Sequence, residues 1–465
     1  MRFDYDLLVI GSGPAGHRAA IQAAKLDKRV AVIEKKAVVG GVCINTGTIP
    51  SKSLREAALR LSGYRERGIY GASYSVKQHV TMRDLLFRVD QVVNNEIDVL
   101  RHQLLRNNVD ILNARASFAG PHAVRLDLVE ERVRQEVSAE HIVIAVGTTT
   151  VCDPRCDGQV VFTSDDLLNI PDLPRSLAVV GAGVIGLEYA SIFAALGVRV
   201  TLIDMHAQLL PFVDREIIEA LTYHLRTNRA TLYLGEKVSR IEVFDDEHGQ
   251  HVRIHLASGK QTVTDRALYS IGRRGAVDDL DLPAAGLTAD DRGRLTVNEH
   301  YQTSVPHIYA VGDVIGFPSL ASTSMEQGRL AACHAFGVPA HTVPDLFPYG
   351  IYTVPGMSMV GRTEEQLTRE QVPYEVGRAQ YREIARGQIL GDRTGLLKLI
   401  FHRETRKLLG VHIIGSEAAE LVHIGQAVIA LGGPIDYFVD TVFNYPTLAE
   451  CYKTAAFDGV NRLGA

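Results

Sequence analysis

The sequence predicts an α/β protein built from two similar strand–turn–helix–strand units and a third, α+β domain at the C-terminal end. Three observations predict this fold. The chain has 465 residues, which at roughly 150 residues per domain suggests about three domains. A glycine-rich turn between an apolar strand and a helix occurs twice, near residues 11 and 181. After residue 346 the chain changes to Tyr/Pro-rich loops, an alternating strand pair and helices.

Composition and charge exclude several classes of function. The formal net charge is −5, with 22% charged and 46% hydrophobic residues, which are ordinary values for a globular protein. Nucleic acid is therefore not an expected partner. The five cysteines are odd in number and scattered, which argues against a secreted disulfide scaffold and favours a cytoplasmic protein.

Neither a signal peptide nor a membrane span is expected. The N-terminal residues reach a strand without a basic segment and a small-residue cleavage site. The weakly charged stretch 177–200 carries Glu188, Arg199 and four glycines at motif spacing. A strand–turn–helix explains this stretch better than a membrane helix does.

The two repeats follow the same plan. The first has a strand Leu7–Ile10, the turn Gly11–Gly16, an alanine-rich helix and a strand Val30–Ile33 that ends in Glu34. The second repeat has equivalent parts, which are a strand Leu177–Val180, the turn Gly181–Gly186, a helix through Ala195 and a strand Val198–Ile203 ending in Asp204.

A Gly-x-Gly-x-x-Gly turn alone is weak evidence, but both copies have the required context. The first glycine permits the tight turn, the second (Gly13, Gly183) lets a pyrophosphate approach, and the third (Gly16, Gly186) brings helix and strand together. The helix N-terminus favours the phosphates, and Glu34 would accept hydrogen bonds from ribose hydroxyls, as would Asp204. The sequence therefore predicts two Rossmann-like dinucleotide-binding domains.

Three further motifs indicate which nucleotide each domain binds. Residues 303–313 resemble the second FAD fingerprint of two-dinucleotide flavoproteins, in which the terminal Asp313 would bond the ribityl chain. Ala145–Gly147 and Tyr269–Arg273 resemble the points where such chains cross between the FAD domain and the NAD(P) domain.

The segment Gly40–Lys52 resembles the active-site helix of the pyridine nucleotide-disulfide oxidoreductases, and the resemblance covers essentially the whole chain. That family uses two cysteines with four residues between them. Here Cys43 is followed by Thr48 at the second position, which cannot form the disulfide. The family's C-terminal His-Pro-Thr is replaced by a sequence that begins with Tyr445, whose phenol is a poor base at neutral pH.

Within that family the chain is similar throughout to the soluble, Si-specific, FAD-dependent pyridine nucleotide transhydrogenases of bacteria. The resemblance implies reversible hydride transfer from NADPH to NAD⁺ through bound FAD, by a ping-pong mechanism at one nicotinamide site, in a homodimer or higher homo-oligomer. Three alternatives stay open: an NAD(P)H:quinone reductase of the diaphorase type, a thiol-disulfide reductase, and a weakly active flavin-bearing nucleotide sensor.

The resemblance also implies roles for individual residues. The ammonium of Lys52 would lie beside the flavin N5, paired with Glu188, while Tyr445 and Glu450 would point toward the flavin of the partner subunit. No metal site is predicted. The residues expected to bind FAD or NAD(P) are Gly11, Gly13, Gly16, Glu34, Lys35, Gly41, Val42, Cys43, Thr48, Lys52, Gly147, Asp313, Ala321, Gly181, Gly183, Gly186, Asp204 and Gly272.

Motif order predicts the domain boundaries. Residues 1–150 and 274–345 would form the FAD domain, 151–273 the NAD(P) domain, and 346–465 the dimerisation domain. An amphipathic helix is expected over about residues 81–107. Cys152 and Cys156 lack a second Cys/His cluster nearby, so no zinc or redox role is expected for them.

Asp204 is difficult to reconcile with the use of both nucleotides. A carboxylate at this position favours NAD and should repel the 2′-phosphate of NADP. Four basic residues are candidate counter-charges for that phosphate: Arg199, His206, Arg273 and Arg274.

Overall fold

The computed structural model describes residues 2–71, 73–128, 134–153, 155–247, 249–340 and 346–463. Within these ranges the strands are β1 (Tyr5–Ile10), β2 (Val30–Glu34), β3 (Val109–Gly120), β4 (Ala123–Leu128), β5 (Arg134–Ile144), β6 (Thr148–Thr150), β7 (Val161–Phe162), β8 (Ser176–Val180), β9 (Arg199–Asp204), β10 (Thr231–Leu234), β11 (Val238–Asp246), β12 (Gly249–Leu256), β13 (Gln261–Thr264), β14 (Arg266–Tyr269), β15 (Arg273–Gly275), β16 (Ile308–Ala310), β17 (Tyr349–Ile351), β18 (Met357–Gly361), β19 (Tyr374–Gln380), β20 (Leu396–His402) and β21 (Leu408–Ile414).

The α-helices of the same ranges alternate with these strands. They are α1 (Pro14–Ala24), α2 (Gly41–Asn45), α3 (Thr48–Ser62), α4 (Arg67–Tyr70), α5 (Met82–Arg106), α6 (Val184–Ala195), α7 (Arg215–Thr227), α8 (Ala321–Ala335), α9 (Glu364–Arg369), α10 (Ala385–Leu390), α11 (Ala418–Ala430), α12 (Asp436–Asp440) and α13 (Glu450–Leu463).

The chain forms two compact units. One unit comprises Met1–Ser53, Leu86–Val151 and Gly272–Thr342, and the other comprises Leu54–Leu85, Cys152–Ile271 and Val343–Ala465.

The first unit is built on a parallel sheet. In this sheet β1 lies between β2 and β5, β3 extends it beyond β2, and β16 extends it beyond β5. The strands β3, β4 and β5 also form an antiparallel meander. Both faces of the parallel part are covered, and β1 accordingly reads as an apolar run whose residues Leu7–Val9 are completely buried.

The residues that follow the first predicted crossing segment pair with the end of the second one in the first unit. Strands β6 and β15 pair in antiparallel orientation, and the Gly272 carbonyl accepts a hydrogen bond from the Val151 N–H at 3.0 Å. The Arg273 guanidinium reinforces the pairing by donating from Nε to Thr148 Oγ1 at 2.8 Å.

The second unit contains three sheets. A parallel sheet has the strand order β10-β9-β8-β14-β7, and β11, β12 and β13 form a small antiparallel sheet. The C-terminal part has an antiparallel sheet of order β17-β18-β21-β20-β19. Helix α13 packs closely on β19, where a Cβ on Gly377 would lie 1.9 Å from the carbonyl oxygen of Ala455.

A charged cluster is buried inside the second unit. The side chain of Lys398, on β20, is 1% exposed, and its Nζ lies 2.9 Å from both carboxylate oxygens of Asp214. Glu216, at 3.2 Å, and Glu364 also pair with it. Burial lowers the pKa of Lys398, but the carboxylates of Asp214 and Glu364 outweigh this effect and raise it. Because Asp214 also caps α7, the cluster fastens that helix to β20.

The predicted fold class is confirmed, and most predicted elements are present with shifted ends. The amphipathic stretch is the single helix α5, and the alternating strand pair is β20 and β21. The prediction of two helices after that pair was incomplete, because the short α12 lies between α11 and α13. Cys152 and Cys156 are joined by a disulfide with Cα atoms 6.2 Å apart.

The apolar stretch around residues 177–200 forms β8, the glycine turn and α6. Among the described residues, none of the helices combines the length and apolar character that a membrane span requires.

Removal of the buried cation should destabilise the second unit. We expect Lys398→Met to lower the free energy of unfolding by about 3–5 kcal/mol, since it leaves the buried Asp214 carboxylate without its cation. The double variant Lys398→Met/Asp214→Asn should lose much less. Urea unfolding followed by circular dichroism measures both effects, and Arg215→Gln, at an exposed ion pair, is the control that should change little. Additive losses in the double variant would contradict the coupling.

Candidate active site

The first glycine turn is closed by backbone contacts that only glycine permits. Gly11 has φ of +105°, and a Cβ on it would lie 2.5 Å from the carbonyl oxygen of Ala145. A Cβ on Gly16 would lie 1.9 Å from the Gly11 carbonyl oxygen. By contrast, a Cβ on Gly13 would meet nothing nearer than Gly41 Cα at 4.0 Å. The first and third glycines are therefore in close backbone contact, whereas the second leaves the space that a pyrophosphate needs to approach the backbone.

Glu34 is tied into this turn. It is 6% exposed at the end of β2, and its Oε2 accepts hydrogen bonds from the Ser12 hydroxyl at 2.6 Å and the Ser12 N–H at 3.2 Å. Its Oε1 accepts from the Lys36 N–H at 3.0 Å. The carboxylate thus fixes the turn, while its contact with a ribose stays a prediction.

The segment that carries Cys43 begins against the same turn. A Cβ on Gly41 would lie 2.9 Å from Gly13 Cα, so α2 starts in contact with the second glycine. Burial raises the pKa of the Cys43 thiol, against the hydrogen bond from the Thr48 side chain and the charge of Lys52, which lower it. The thiol is therefore held in its protonated form at neutral pH.

Asp313 lies on the short 3₁₀ helix Gly312–Ile315 that follows β16. Burial raises the pKa of this carboxyl group, against the nearby Arg273 guanidinium and a hydrogen bond from the Ser324 hydroxyl at 3.3 Å. The Gly312 N–H donates to Gln327 Oε1 at 2.8 Å, which ties this segment to α8.

Helix α8 begins at Ala321 and lies directly on α1. A Cβ on Gly328 would lie 2.0 Å from the Ala15 carbonyl oxygen, so the two helices are in backbone contact. Lys35 pairs with Asp279 at 3.3 Å at the end of β2.

The predicted FAD residues thus all fall in the first unit, in or next to the two segments that the first turn organises. The open second glycine, the left-handed turn residues and the partly buried Asp313 fit a bound FAD. The unit contains Gly11, Gly13, Gly16, Glu34, Lys35, Gly41, Val42, Cys43, Thr48, Lys52, Gly147, Gly272, Asp313 and Ala321.

The second glycine turn repeats the first in detail. Gly181 has φ of +101°, and its Cβ would lie 2.5 Å from the Ser270 carbonyl oxygen. A Cβ on Gly186 would lie 1.9 Å from the Gly181 carbonyl oxygen, whereas a Cβ on Gly183 would meet nothing within 4 Å. The second unit therefore carries its own open dinucleotide turn.

Asp204 lies at the end of β9 beside this turn. Its Oδ2 accepts from the Ala182 N–H. Its Oδ1 accepts from both the backbone N–H and the imidazole Nδ1 of His206, each at 2.7 Å. Arg199 begins β9 and is therefore at the opposite end of the strand, roughly 16 Å away, too far to reach a group that would bind at Asp204.

The two remaining candidate counter-charges are engaged within the first unit. Arg273 Nη2 donates to the Thr148 carbonyl oxygen at 2.9 Å. Arg274 pairs with Asp278.

Glu188 is held within the second unit. It is 4% exposed on α6, and its Oε1 accepts from the Tyr352 N–H at 2.8 Å. One turn further along α6, the Ser191 hydroxyl oxygen accepts from the Val354 N–H at 2.9 Å. The predicted pairing of Glu188 with Lys52, whose Nζ donates to the Ser51 hydroxyl oxygen at 3.2 Å, stays a prediction.

The two C-terminal candidates differ in exposure. Tyr445 is 67% exposed. Glu450 begins α13, and its Oε2 is buried with no hydrogen-bond partner in the part of the chain that the structure describes.

Sequence reasoning missed two residues that shape the first turn. Ser12 bridges the turn to Glu34 and, through its hydroxyl oxygen, to the Gly40 N–H at 2.9 Å. His17 is buried on α1 with its Nδ1 3.1 Å from the Gly13 carbonyl oxygen. The spacing of His17 four residues after Gly13 is the signal that could have found this contact.

The fold and the two dinucleotide turns define a flavin- and nicotinamide-dependent oxidoreductase. Residues 5–328 match the family "Pyridine nucleotide-disulphide oxidoreductase", and residues 347–456 match its dimerisation domain. The chain belongs to this family. It is accordingly an FAD-dependent oxidoreductase with NAD(P)H as substrate. Its C-terminal part is a dimerisation domain, which fits a homodimer.

The similar curated proteins share one description. The chain is 52% identical to a "Soluble pyridine nucleotide transhydrogenase" of Mycobacterium bovis, over 99% of this chain and 98% of that protein. It is 44% identical to the protein of that name from Colwellia psychrerythraea, over 99% of each chain.

Solved structures agree with the fold. The chain matches the HOCl-induced flavoprotein disulfide reductase RclA from Escherichia coli with a TM-score of 0.87 and 29% identity, covering 97% of this chain and 99% of that one. It matches LpdA from Mycobacterium tuberculosis with a TM-score of 0.88 and 25% identity, covering 99% and 100%.

Alanine substitution of the second glycine in each turn should impair one nucleotide site and leave the other intact. Gly183 has an ordinary φ of −66° and open space for a Cβ, so Gly183→Ala should fold and keep FAD. Its methyl group would stand where the pyrophosphate approaches, and we expect the KM for NAD(P)H to rise about tenfold or more. The matched variant Gly13→Ala should instead lose FAD. Unchanged NAD(P)H kinetics in Gly183→Ala would contradict the placement.

His17 should make the first unit sensitive to acid. Burial, together with the charge of Arg18, lowers the pKa of His17 from 6.5 to about 4. As the pH falls, the unfolded state therefore takes up a proton at this histidine before the folded state does. Up to about 3 kcal/mol of the free energy of unfolding, present above pH 6.5, is lost as the pH falls toward 4.

The test is the urea midpoint of FAD release at pH 7.5 and pH 5. His17→Gln should reduce the difference between the two pH values, whereas His102→Gln, at an exposed position on α5, should not. An unchanged pH dependence in His17→Gln would show that other groups cause the acid sensitivity.

Proposed function

We propose that this chain transfers hydride reversibly from NADPH to NAD⁺ through bound FAD, with both nicotinamide nucleotides using one site in turn. The observation that carries the proposal is that the residues for disulfide chemistry are missing while the nucleotide-binding turns are kept. Both glycine turns keep their open second glycine, whereas Thr48 and Tyr445 occupy the two positions at which the family handles a disulfide. The shared name of the curated relatives supports the same activity.

A thiol relay would need a second sulfur beside Cys43. The neighbouring side chain is the Thr48 hydroxyl, which cannot form a disulfide, and burial raises the pKa of the Cys43 thiol. A protonated thiol is a weak nucleophile. Cys43 is thus suited to contact the flavin rather than to carry electrons away from it.

The C-terminal substitution has a similar consequence. A thiol–disulfide exchange needs a group that accepts and returns a proton near neutral pH, and an exposed phenol such as that of Tyr445 holds its proton there. Glu450 has no imidazole at position 445 to orient. We place both residues at the flavin of the partner subunit, where they shape the nicotinamide pocket without acid–base work.

The remaining residues bind and orient. Bound FAD supplies a two-electron carrier that can be reduced by one nicotinamide and reoxidised by another. The Lys52 ammonium, paired with Glu188, would favour the negative charge that the reduced ring develops. Asp313 would bond the ribityl chain, and each glycine turn would hold a pyrophosphate against its helix N-terminus.

Residue roles and boundaries belong to this proposal. Residues 1–150 and 274–345 would serve as the FAD domain, 151–273 as the NAD(P) domain and 346–465 as the subunit interface. The protein would act in the cytoplasm, where both nicotinamide pools are available.

A two-step anaerobic stopped-flow experiment tests the proposal. The full-length flavoprotein is reduced with NADPH and then mixed with NAD⁺ while the flavin absorbance is followed. We expect bleaching followed by complete recovery, at rates within the range of about 1 to 10³ per second that is common for enzymes. Steady-state assays with thio-NAD⁺ and with a quinone compare the two acceptors.

The outcomes separate the candidate activities. Recovery with NAD⁺ that keeps pace with turnover supports transhydrogenation. The proposal would be wrong if NAD⁺ failed to reoxidise the reduced flavin while a quinone or lipoamide reoxidised it.

A further inference from the structure

The Cys152–Cys156 disulfide is a reactive group that neither glycine turn uses. It lies in the second unit and joins residues four positions apart in the chain, with Cα atoms 6.2 Å apart. That distance is within the usual range for a disulfide. Disulfides in cytoplasmic proteins are rare, and those that form are usually transient. In the cytoplasm, where we place the protein, this disulfide would meet thiols that can open it.

The two cysteines differ in their surroundings. Cys152 is exposed, whereas Cys156 is partly buried and packs against the apolar core around Val160 and Ile241. A thiol–disulfide exchange begins when a thiolate reaches one of the two sulfurs, so access helps to decide which sulfur is attacked. An incoming thiol therefore reaches Cys152 first, and Cys156 is the sulfur that leaves.

Hydrogen bonds hold the residues around the disulfide independently of the S–S bond. The Cys156 N–H donates to the Asp153 carbonyl oxygen at 2.9 Å, and the Arg155 N–H donates to Asp153 Oδ1 at 3.0 Å. The Arg155 guanidinium donates to the same carboxylate and to the Ile241 carbonyl oxygen. Just after Cys156, the Asp157 carboxylate accepts from three successive backbone N–H groups. Opening the S–S bond would therefore leave the two thiols close together, at a high effective concentration for closing it again.

The other three cysteines are poorly suited to the same exchange. Cys333 and Cys451 are buried, and Cys43 is partly buried. Burial raises the pKa of all three thiols, that of Cys451 to about 12. Because the thiolate is the nucleophile, such thiols react slowly at neutral pH. Exchange with a small thiol should therefore be confined to Cys152 and Cys156.

We propose that Cys152 and Cys156 form a reversible thiol–disulfide site that exchanges with low-molecular-weight thiols and their disulfides. In the reducing direction, a thiolate attacks Cys152 Sγ, the S–S bond breaks, and Cys156 leaves as a thiolate. A second thiolate then attacks the small-molecule sulfur of the mixed disulfide and releases Cys152. The protein disulfide gains two electrons, two small thiols become one disulfide, and the two protons of those thiols pass to the cysteines.

Oxidation is the same sequence in reverse. The Cys152 thiolate attacks a small disulfide and displaces one thiolate, which leaves a mixed disulfide on Cys152. The Cys156 thiolate then attacks Cys152 Sγ and displaces the second small thiolate. Cys152 is thus the exchanging residue, and Cys156 is the residue that closes the bond.

Mass spectrometry of the full-length flavoprotein, equilibrated with mixtures of reduced and oxidised glutathione, tests the site. Free thiols are alkylated after acid quenching, and the peptides that carry Cys152 and Cys156 are quantified. We expect the pair to pass from disulfide to dithiol as the share of reduced glutathione rises. It should return when oxidised glutathione is added, while the absorbance of bound FAD shows that the protein stays folded. Cys333→Ala is the matched control and should titrate like the wild type.

Two single variants assign the roles of the two sulfurs. Cys156→Ser removes the thiol that closes the bond, so oxidised glutathione should leave one stable glutathionyl group on Cys152. Cys152→Ser keeps only the partly buried sulfur, and we expect its modification to be about tenfold slower or more. The intact mass of each variant, followed over time, measures both rates.

Several results would overturn the inference. One is a pair that stays as two thiols at every glutathione ratio, and another is a disulfide that excess reduced glutathione does not open in the folded protein. A Cys156→Ser variant that retains no glutathionyl group, or equal rates in the two variants, would also overturn it. The inference takes only the cytoplasmic location from the proposed function. Because these measurements use no nicotinamide nucleotide, their outcome is separate from the flavin reoxidation that decides the proposed function.

Discussion

The structure depends on one constraint, which is the close approach of backbone to backbone at the two glycine turns. At each turn the third glycine packs on the carbonyl of the first, and the first packs on the carbonyl of the strand end that leads into a crossing segment. A single methyl group at any of these places would push a helix away from its sheet. The same contact therefore determines where the helix begins, where the acid at the end of the next strand lies, and where the chain crosses to the other domain.

The two turns share this geometry but serve different chemistry. The first lies against α2 and α8, and its acid accepts hydrogen bonds from Ser12 and from the Lys36 N–H, an arrangement that suits a cofactor that stays bound. The second has free space above Gly183 and an acid shared with an exposed imidazole. That arrangement suits a ligand that must leave after each half-reaction and be replaced by one of different charge. The absence of the thiol relay at positions 48 and 445 fits this exchange, because the second nucleotide that binds takes the hydride from the flavin and no further electron acceptor is needed.

Local patterns predicted a large part of this. The apolar runs, the glycine spacing and the terminal acids are all properties of a few neighbouring residues, so β1, α1, β8 and α6 could be predicted from sequence. The helix α5 followed from its amphipathic pattern. The buried pair of Lys398 and Asp214 could not be predicted, because a lysine within an apolar strand and an aspartate at a helix start lie far apart in the chain and reveal their partnership only when folded. The Cys152–Cys156 disulfide was not anticipated either, since spacing alone does not show whether two sulfurs meet.

The sequence by itself determined the class of protein, the presence of two dinucleotide turns and the missing second cysteine, because each of these is written in short motifs whose chemistry does not depend on distant residues. Only the tertiary structure decided how charges are paired. It placed His206 on Asp204, left Arg199 at the wrong end of its strand, and engaged Arg273 and Arg274 elsewhere. Electrostatic partnership depends on distances of a few ångström between side chains, and those distances are set by packing rather than by order along the chain.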